Sequence, residues 1–246
     1  MTTSHLTDQA WFRVWRHGWL ALLLAVPLAH GQSLCSSDDQ AAPKMLLERF
    51  VNADCDTCWR DPATPAAVSG TLALDWIVPG SQGEDAPLAA AARRDAHLRL
   101  EALQRLRPDR QDSLTSRVVA WPDARLRVAH GIAFGGYVGA SIELRLPPGR
   151  KVSYPLQAWL ALVETLPAGL EGSVVARNLV RNVLQPTWNG HESLSNSEQI
   201  SFREFRAMNI PEGAQTTRLQ VVGWLQDASG QLVMAAESAC PSEQDD

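Results

Sequence analysis

Short apolar runs separated by turn residues dominate the chain. Residues 46–51 (LLERFV) and Thr71–Val78 (TLALDWIV) have strand length and are closed by Asn52 and by Pro79-Gly80. Between them, Asp61 followed by Pro62 has the form of an N-cap and first helical position, which predicts a helix over 62–68. Leu88, Ala92, Ala96, Leu100 and Leu103 recur at helical spacing and predict a long helix over 86–106, ended by Pro108. Arg93, Arg94, Arg99 and Glu101 fill its other face. Residues 116–121 and 125–129 predict two further strands around Pro122-Asp123.

After about Gly139 the pattern is strand-like throughout. Residues 141–146, 157–164, 173–184, 199–206, 218–226 and 231–237 are separated by turns at Pro147-Pro148-Gly149, Pro167-Ala168-Gly169, Trp188-Asn189-Gly190, Pro211-Glu212-Gly213 and Ala228-Ser229-Gly230. That spacing predicts an antiparallel β-sandwich of about six strands. The glycine-rich stretch 131–139 (GIAFGGYVG) lacks the spacing of a phosphate loop and is expected to be a loop between domains.

The first residues carry a different pattern. Arg13, Arg16 and His17 precede the uncharged apolar stretch 19–29, and Ala29-His30-Gly31 follows with small residues at the positions a signal peptidase reads. This predicts a signal peptide over 1–31 and an exported, periplasmic or secreted, chain. The apolar stretch is shorter than the roughly 20 residues a spanning helix needs, so no stable membrane span is expected after processing. Residues 32–43 read as a flexible leader and 241–246 as an acidic tail.

Charge excludes one class of partner. Removing residues 1–31 takes away Arg13, Arg16 and Asp8 and leaves 20 basic against 26 acidic residues, a net charge of −6. With no basic stripe, nucleic acid is not expected; another exported protein is. No cofactor motif is readable.

All four cysteines, Cys35, Cys55, Cys58 and Cys240, lie beyond the expected cleavage point. An even count in an exported chain suggests disulfides. Cys55 with Cys58 is the local pairing, and Cys35 with Cys240 then ties the two ends as a structural disulfide. Cys55-Asp56-Thr57-Cys58 lies between a strand and the expected helix. There, three roles stay open: a redox couple, an inert staple, or a metal clip completed by Cys35 or Cys240. In a couple, helix amides lower the thiol pKa of Cys55, which attacks, and Cys58 resolves. Asp54, Asp56 and Asp61 oppose this with like charge. Asp75, at the end of the second strand, is a candidate proton relay.

The order strand–helix–strand–helix–strand–strand, with Cys55 and Cys58 at its first corner, is that of a thioredoxin-like domain. The chain resembles a family of secreted bacterial proteins of unknown function that join such a domain to a C-terminal β domain. The matching residues are the two cysteines, then Arg177-Asn178-Leu179-Val180-Arg181 followed by Trp188-Asn189-Gly190. The resemblance implies an α/β thioredoxin-like domain over 44–138, followed by an all-β antiparallel sandwich domain over 139–240. It also implies thiol–disulfide exchange through Cys55 and Cys58. The alternative is a non-catalytic envelope protein with structural disulfides and a protein-binding β domain.

Overall fold

The structure is a computed structural model that describes residues 35–190 and 200–241. The expected signal peptide lies outside the described residues. Two sheets form the framework of the described residues. The long sheet runs in the order β12 (Leu232–Glu237), β11 (Leu219–Gln226), β7 (Leu156–Leu166), β8 (Arg177–Leu184), β3 (Thr71–Val78), β2 (Met45–Asn52) and β4 (Gln111–Arg117), with β9 (Thr187–Trp188) added on β7. The second sheet runs β1 (Cys35–Ser36), β5 (Arg125–Phe134), β6 (Tyr137–Leu146) and β10 (Ile200–Asn209). Among the described strands, only the pairs β2–β3 and β3–β8 are parallel.

Side-chain alternation explains the layering. Along β7, Leu156, Ala158, Leu160 and Leu162 point one way and pack with Val128, Ile142 and Leu144 of the second sheet. Trp159, Ala161 and Val163 point the other way and pack with Leu72, Leu74 and Trp76 of β3 and with Ala96 and Leu100 of α2 (Arg94–Ala102). Both faces of β7 are therefore buried, which is why it reads as an almost continuous apolar run. A third cluster sits where β2, β3 and β8 meet the one-turn helix α1 (Asp56–Trp59).

The expected pair of domains is not what forms. Among the described residues there are two α-helices, of four and nine residues. They do not build the helical layers of an α/β domain, and the described residues show no thioredoxin fold. Strands β2, β3 and β4 instead continue the same sheet as β7, β8, β11 and β12. The resemblance to a family with an N-terminal thioredoxin-like domain is thereby overturned; the sandwich part of the expectation survives as a β-rich architecture. The physical reason is that β3 keeps an unpaired edge for β8, so apolar surface from both halves merges into common clusters.

Local expectations fail for equally specific reasons. The helix expected over 86–106 starts only at Arg94, because Ala86, which precedes Pro87, is extended at φ −64°, ψ 139°, and Ala92 is extended at φ −64°, ψ 135°. It ends at Ala102, well before Pro108, and Gln104 just past its C-cap takes φ 54°. Over 62–68 there is a turn in which Asp61 Oδ1 accepts from the Ala63 N–H at 2.8 Å, and no helix follows. Residues 131–139 are the centre of the β5–β6 hairpin, where Gly135 and Gly136 take φ 58° and 81°. Two successive positive φ values are what a type I′ turn requires, so the glycines serve a hairpin instead of a linker.

Gly223 of β11 lies close against the second sheet. A Cβ there would lie 2.6 Å from Val128 Cγ1, 3.0 Å from Ile142 Cδ1 and 3.2 Å from the Trp159 carbonyl oxygen. Gly223→Ala is expected to lower stability by about 1–3 kcal/mol through overpacking. The check is the urea midpoint, read beside Gly131→Ala, whose added methyl meets nothing within 4 Å and leaves the midpoint in place.

Candidate functional site

Both expected disulfides are closed. Cys55–Cys58 has its Cα atoms 5.4 Å apart, and Cys35–Cys240 links residues 205 positions apart in the sequence. The two bonds sit in different surroundings, which decide what each can do.

Cys55 follows β2 and stands at the N-cap of α1, at the corner between strand and helix. Cys55 is 8% exposed and Cys58 is fully buried, packed among Val51, Ala53, Trp59, Ile77, Leu166 and Leu179. Residues 86–92 roof this cluster, with the Leu88 N–H donating to the Ala53 carbonyl at 3.1 Å. The helix expected to lower the thiol pKa is a single turn, so few peptide dipoles align behind Cys55. The three nearby acids are engaged elsewhere. Asp54 accepts from Ser81 and Gln82, Asp56 pairs with Arg60, and Asp61 accepts from Gln111. The Thr57 hydroxyl lies 3.7 Å from Cys55 Sγ and itself accepts from Arg110 Nη2 at 3.2 Å.

Asp75 occupies the same face of the sheet as this cluster, two residues before Ile77. It is fully buried between two arginines: Oδ1 accepts from Arg177 Nη1 at 2.6 Å and Oδ2 from Arg49 Nη2 at 2.7 Å. The Asn178 N–H adds a third bond at 3.1 Å. A carboxylate receiving three donors, two of them cationic, is placed as their counter-ion. The arginines are held in turn. Arg177 donates to Ser173 Oγ and to the Trp59 carbonyl and lies 4.2 Å from the centre of the Trp59 ring; Arg49 donates to the carbonyls of Pro65 and Ala176. Burial pushes the Arg177 guanidinium below its usual range, and Asp75 opposes that shift.

The opposite face of the long sheet carries a second buried ion cluster. Glu48 receives Arg99 through two bonds of 2.7 Å and also accepts from Trp76 Nε1 at 3.2 Å. Arg99 lies 4.7 Å from the Trp159 ring and 5.2 Å from the Trp224 ring. Arg99, expected on a polar helix face, is therefore 2% exposed. The one available signal was the pair Glu48-Arg49 inside an apolar strand. Adjacent residues of a strand face opposite ways, so a strand buried on both faces must supply each with its own partner.

Cys35–Cys240 lies at the surface. Cys35 is buried and Cys240 exposed. Cys35 on β1 is the register partner of His130 on β5. Burial holds the His130 imidazole below its ordinary pKa, with the Gly131 carbonyl opposing. His130 was unremarkable in the sequence, because only the β1–β5 pairing brings it beside two cysteines 95 and 110 positions away.

No protein-family model matches this chain, and no curated protein matches it either. Among solved structures the chain is similar to HBP35 of Porphyromonas gingivalis, at 9% identity over 83% of this chain and 79% of that one. The TM-score of 0.48 is too low to support an argument about fold or function.

Asp75→Asn leaves two buried guanidinium groups without a counter-charge and is expected to cost about 3–5 kcal/mol in chemical denaturation. Asp112→Asn, which breaks the half-exposed pair with Arg105, is expected to cost less than about 1 kcal/mol in the same assay.

Proposed function

We propose that this is an exported, non-catalytic protein whose disulfides are both staples, and which acts by binding another exported protein. The observation that carries the reading is the burial of Cys55 and Cys58, at 8% and 0% exposure beneath the segment 86–92. Thiol–disulfide exchange needs an external thiolate to reach one sulfur of the bond, and here apolar side chains cover both. The engagement of Asp75 by Arg49 and Arg177 supports a counter-ion role in place of the proton relay. An exported setting is supported by the chain's even cysteine count and two closed bonds, which suit an oxidising compartment.

The binding surface is the outer face of the second sheet. Ile132, Phe134, Tyr137 and Phe205 are 73%, 89%, 50% and 63% exposed there, on adjoining strands. Large apolar side chains grouped on one exposed face mark interaction surfaces.

One contact favours the second reading, exchange with Cys55 attacking and Cys58 resolving. Thr57, receiving its own hydrogen bond from Arg110, is placed to stabilise a thiolate at Cys55.

A redox titration separates the two. In glutathione and dithiothreitol buffers the Cys55–Cys58 bond is expected to stay closed to below about −300 mV, with no insulin reduction. Cys55→Ser/Cys58→Ser is expected to lose about 2 kcal/mol of stability, the chain-entropy value for so short a loop. Insulin turnover that this double variant abolishes would establish exchange in place of the staple.

A further inference from the structure

The Cys35–Cys240 bond closes over a third potential ligand. The two sulfurs and a ring nitrogen of His130 lie within 4.8 Å of one another. His130 Nδ1 is 2.9 Å from the Gly131 carbonyl oxygen. A carbonyl only accepts, so Nδ1 carries the proton and Nε2 keeps its lone pair. That Nε2 is buried and has no hydrogen-bond partner among the described residues, in a residue only 6% exposed. A histidine that donates one ring N–H to a backbone carbonyl and leaves the other nitrogen free has the orientation of a metal ligand.

We propose that reduction of Cys35–Cys240 opens a binding site for one zinc(II) ion, held by Cys35 Sγ, Cys240 Sγ and His130 Nε2. A dithiol reductant supplies two electrons and two protons. The S–S bond breaks, two thiols form, and the reductant closes its own disulfide. Zinc then displaces both thiol protons to solvent, leaving two thiolates and a neutral imidazole around a dication, so the filled site adds no net charge to a half-buried position. Two thiolates and one imidazole form a soft, borderline donor set suited to zinc. Solvent completes the tetrahedron on the side of the exposed Cys240.

The site does not depend on the bond it replaces. Ser36 and Ala239 form an antiparallel bridge of two hydrogen bonds, 3.0 and 2.9 Å, one residue from each cysteine. Ser238 is tied to Val221 by a further two, each 2.9 Å. These contacts keep the cysteines side by side after reduction. Zinc–sulfur bonds of about 2.3 Å put two thiolates roughly 3.8 Å apart, so the sulfurs must separate. Cys240, exposed and just past the Ala239 bridge, has the freedom to move outward.

The test uses the chain from residue 32 onward, reduced by a phosphine, freed of reductant and kept anaerobic. Cobalt(II) is added as a spectroscopic probe for zinc. The reduced protein is expected to bind one equivalent with thiolate-to-cobalt absorption and tetrahedral d–d bands that added zinc abolishes, and the oxidised protein to show neither. His130→Ala is expected to bind at least about tenfold more weakly, and Cys35→Ser/Cys240→Ser to lose the absorption. Absorption that survives in that double variant overturns the site, as does its absence from reduced protein that keeps its circular dichroism. X-ray absorption of the zinc-loaded wild type guards against a misfolded His130→Ala. Two sulfurs and one imidazole nitrogen support the assignment, and a shell without that nitrogen refutes the role of His130.

Discussion

Burying Asp75 between Arg49 and Arg177 is the constraint on which the rest of the architecture depends. The parallel junction of β3 with β8 rests on a single register pair, Asp75 with Leu179. Backbone pairing alone is thin there, and the ion cluster does the joining. Asp75 comes from β3, Arg49 from β2 and Arg177 from β8, so three strands meet through one carboxylate. Any other alignment of β8 would leave a guanidinium in the core without a counter-charge, at a cost of several kcal/mol. The cluster is thus a selector of register more than a source of net stability. Through it the N-terminal strands and the C-terminal ones share one sheet.

The reverse face solves the same problem with different groups. Glu48 points away from the Asp75 cluster and is met by Arg99 from α2, whose guanidinium lies against Trp159 and Trp224. Gln226 ties the arrangement to β11, accepting from both Arg99 and Trp159 Nε1. A charged residue thus anchors the short helix to the sheet, and an otherwise weakly apolar helix gains a fixed seat. The two clusters together explain how a strand with adjacent charges, Glu48 and Arg49, comes to be fully buried.

These clusters also shape the chemistry open to the disulfides. Cys55–Cys58 shares its apolar pocket with Trp59, whose ring lies under Arg177, so it is built into the same packing that holds the sheet together. Opening it would loosen the junction itself. Cys35 of the Cys35–Cys240 bond lies on β1 of the second sheet, and the neighbouring strand bridge duplicates the bond's constraint. Reduction there is compatible with a folded chain, and His130 gives the freed thiolates a use.

Much of the strand content was legible from residue order. The β3 range matched its apolar run to the residue, and β2, β7, β11 and β12 lay within two residues of theirs, because alternation and turn chemistry are local properties. Both disulfide pairings were legible too, since loop length and cysteine count constrain them. The Arg177–Arg181 segment and Asp75 each drew notice separately, without any sign that one neutralises the other. Tertiary structure alone decided that β3 and β8 pair, that Arg99 turns inward, and that His130 faces Cys35. Each of these rests on contacts between residues far apart in the chain. Their free energy comes from burying charge and apolar surface jointly, a quantity that no stretch of sequence possesses until its partner strand is in place.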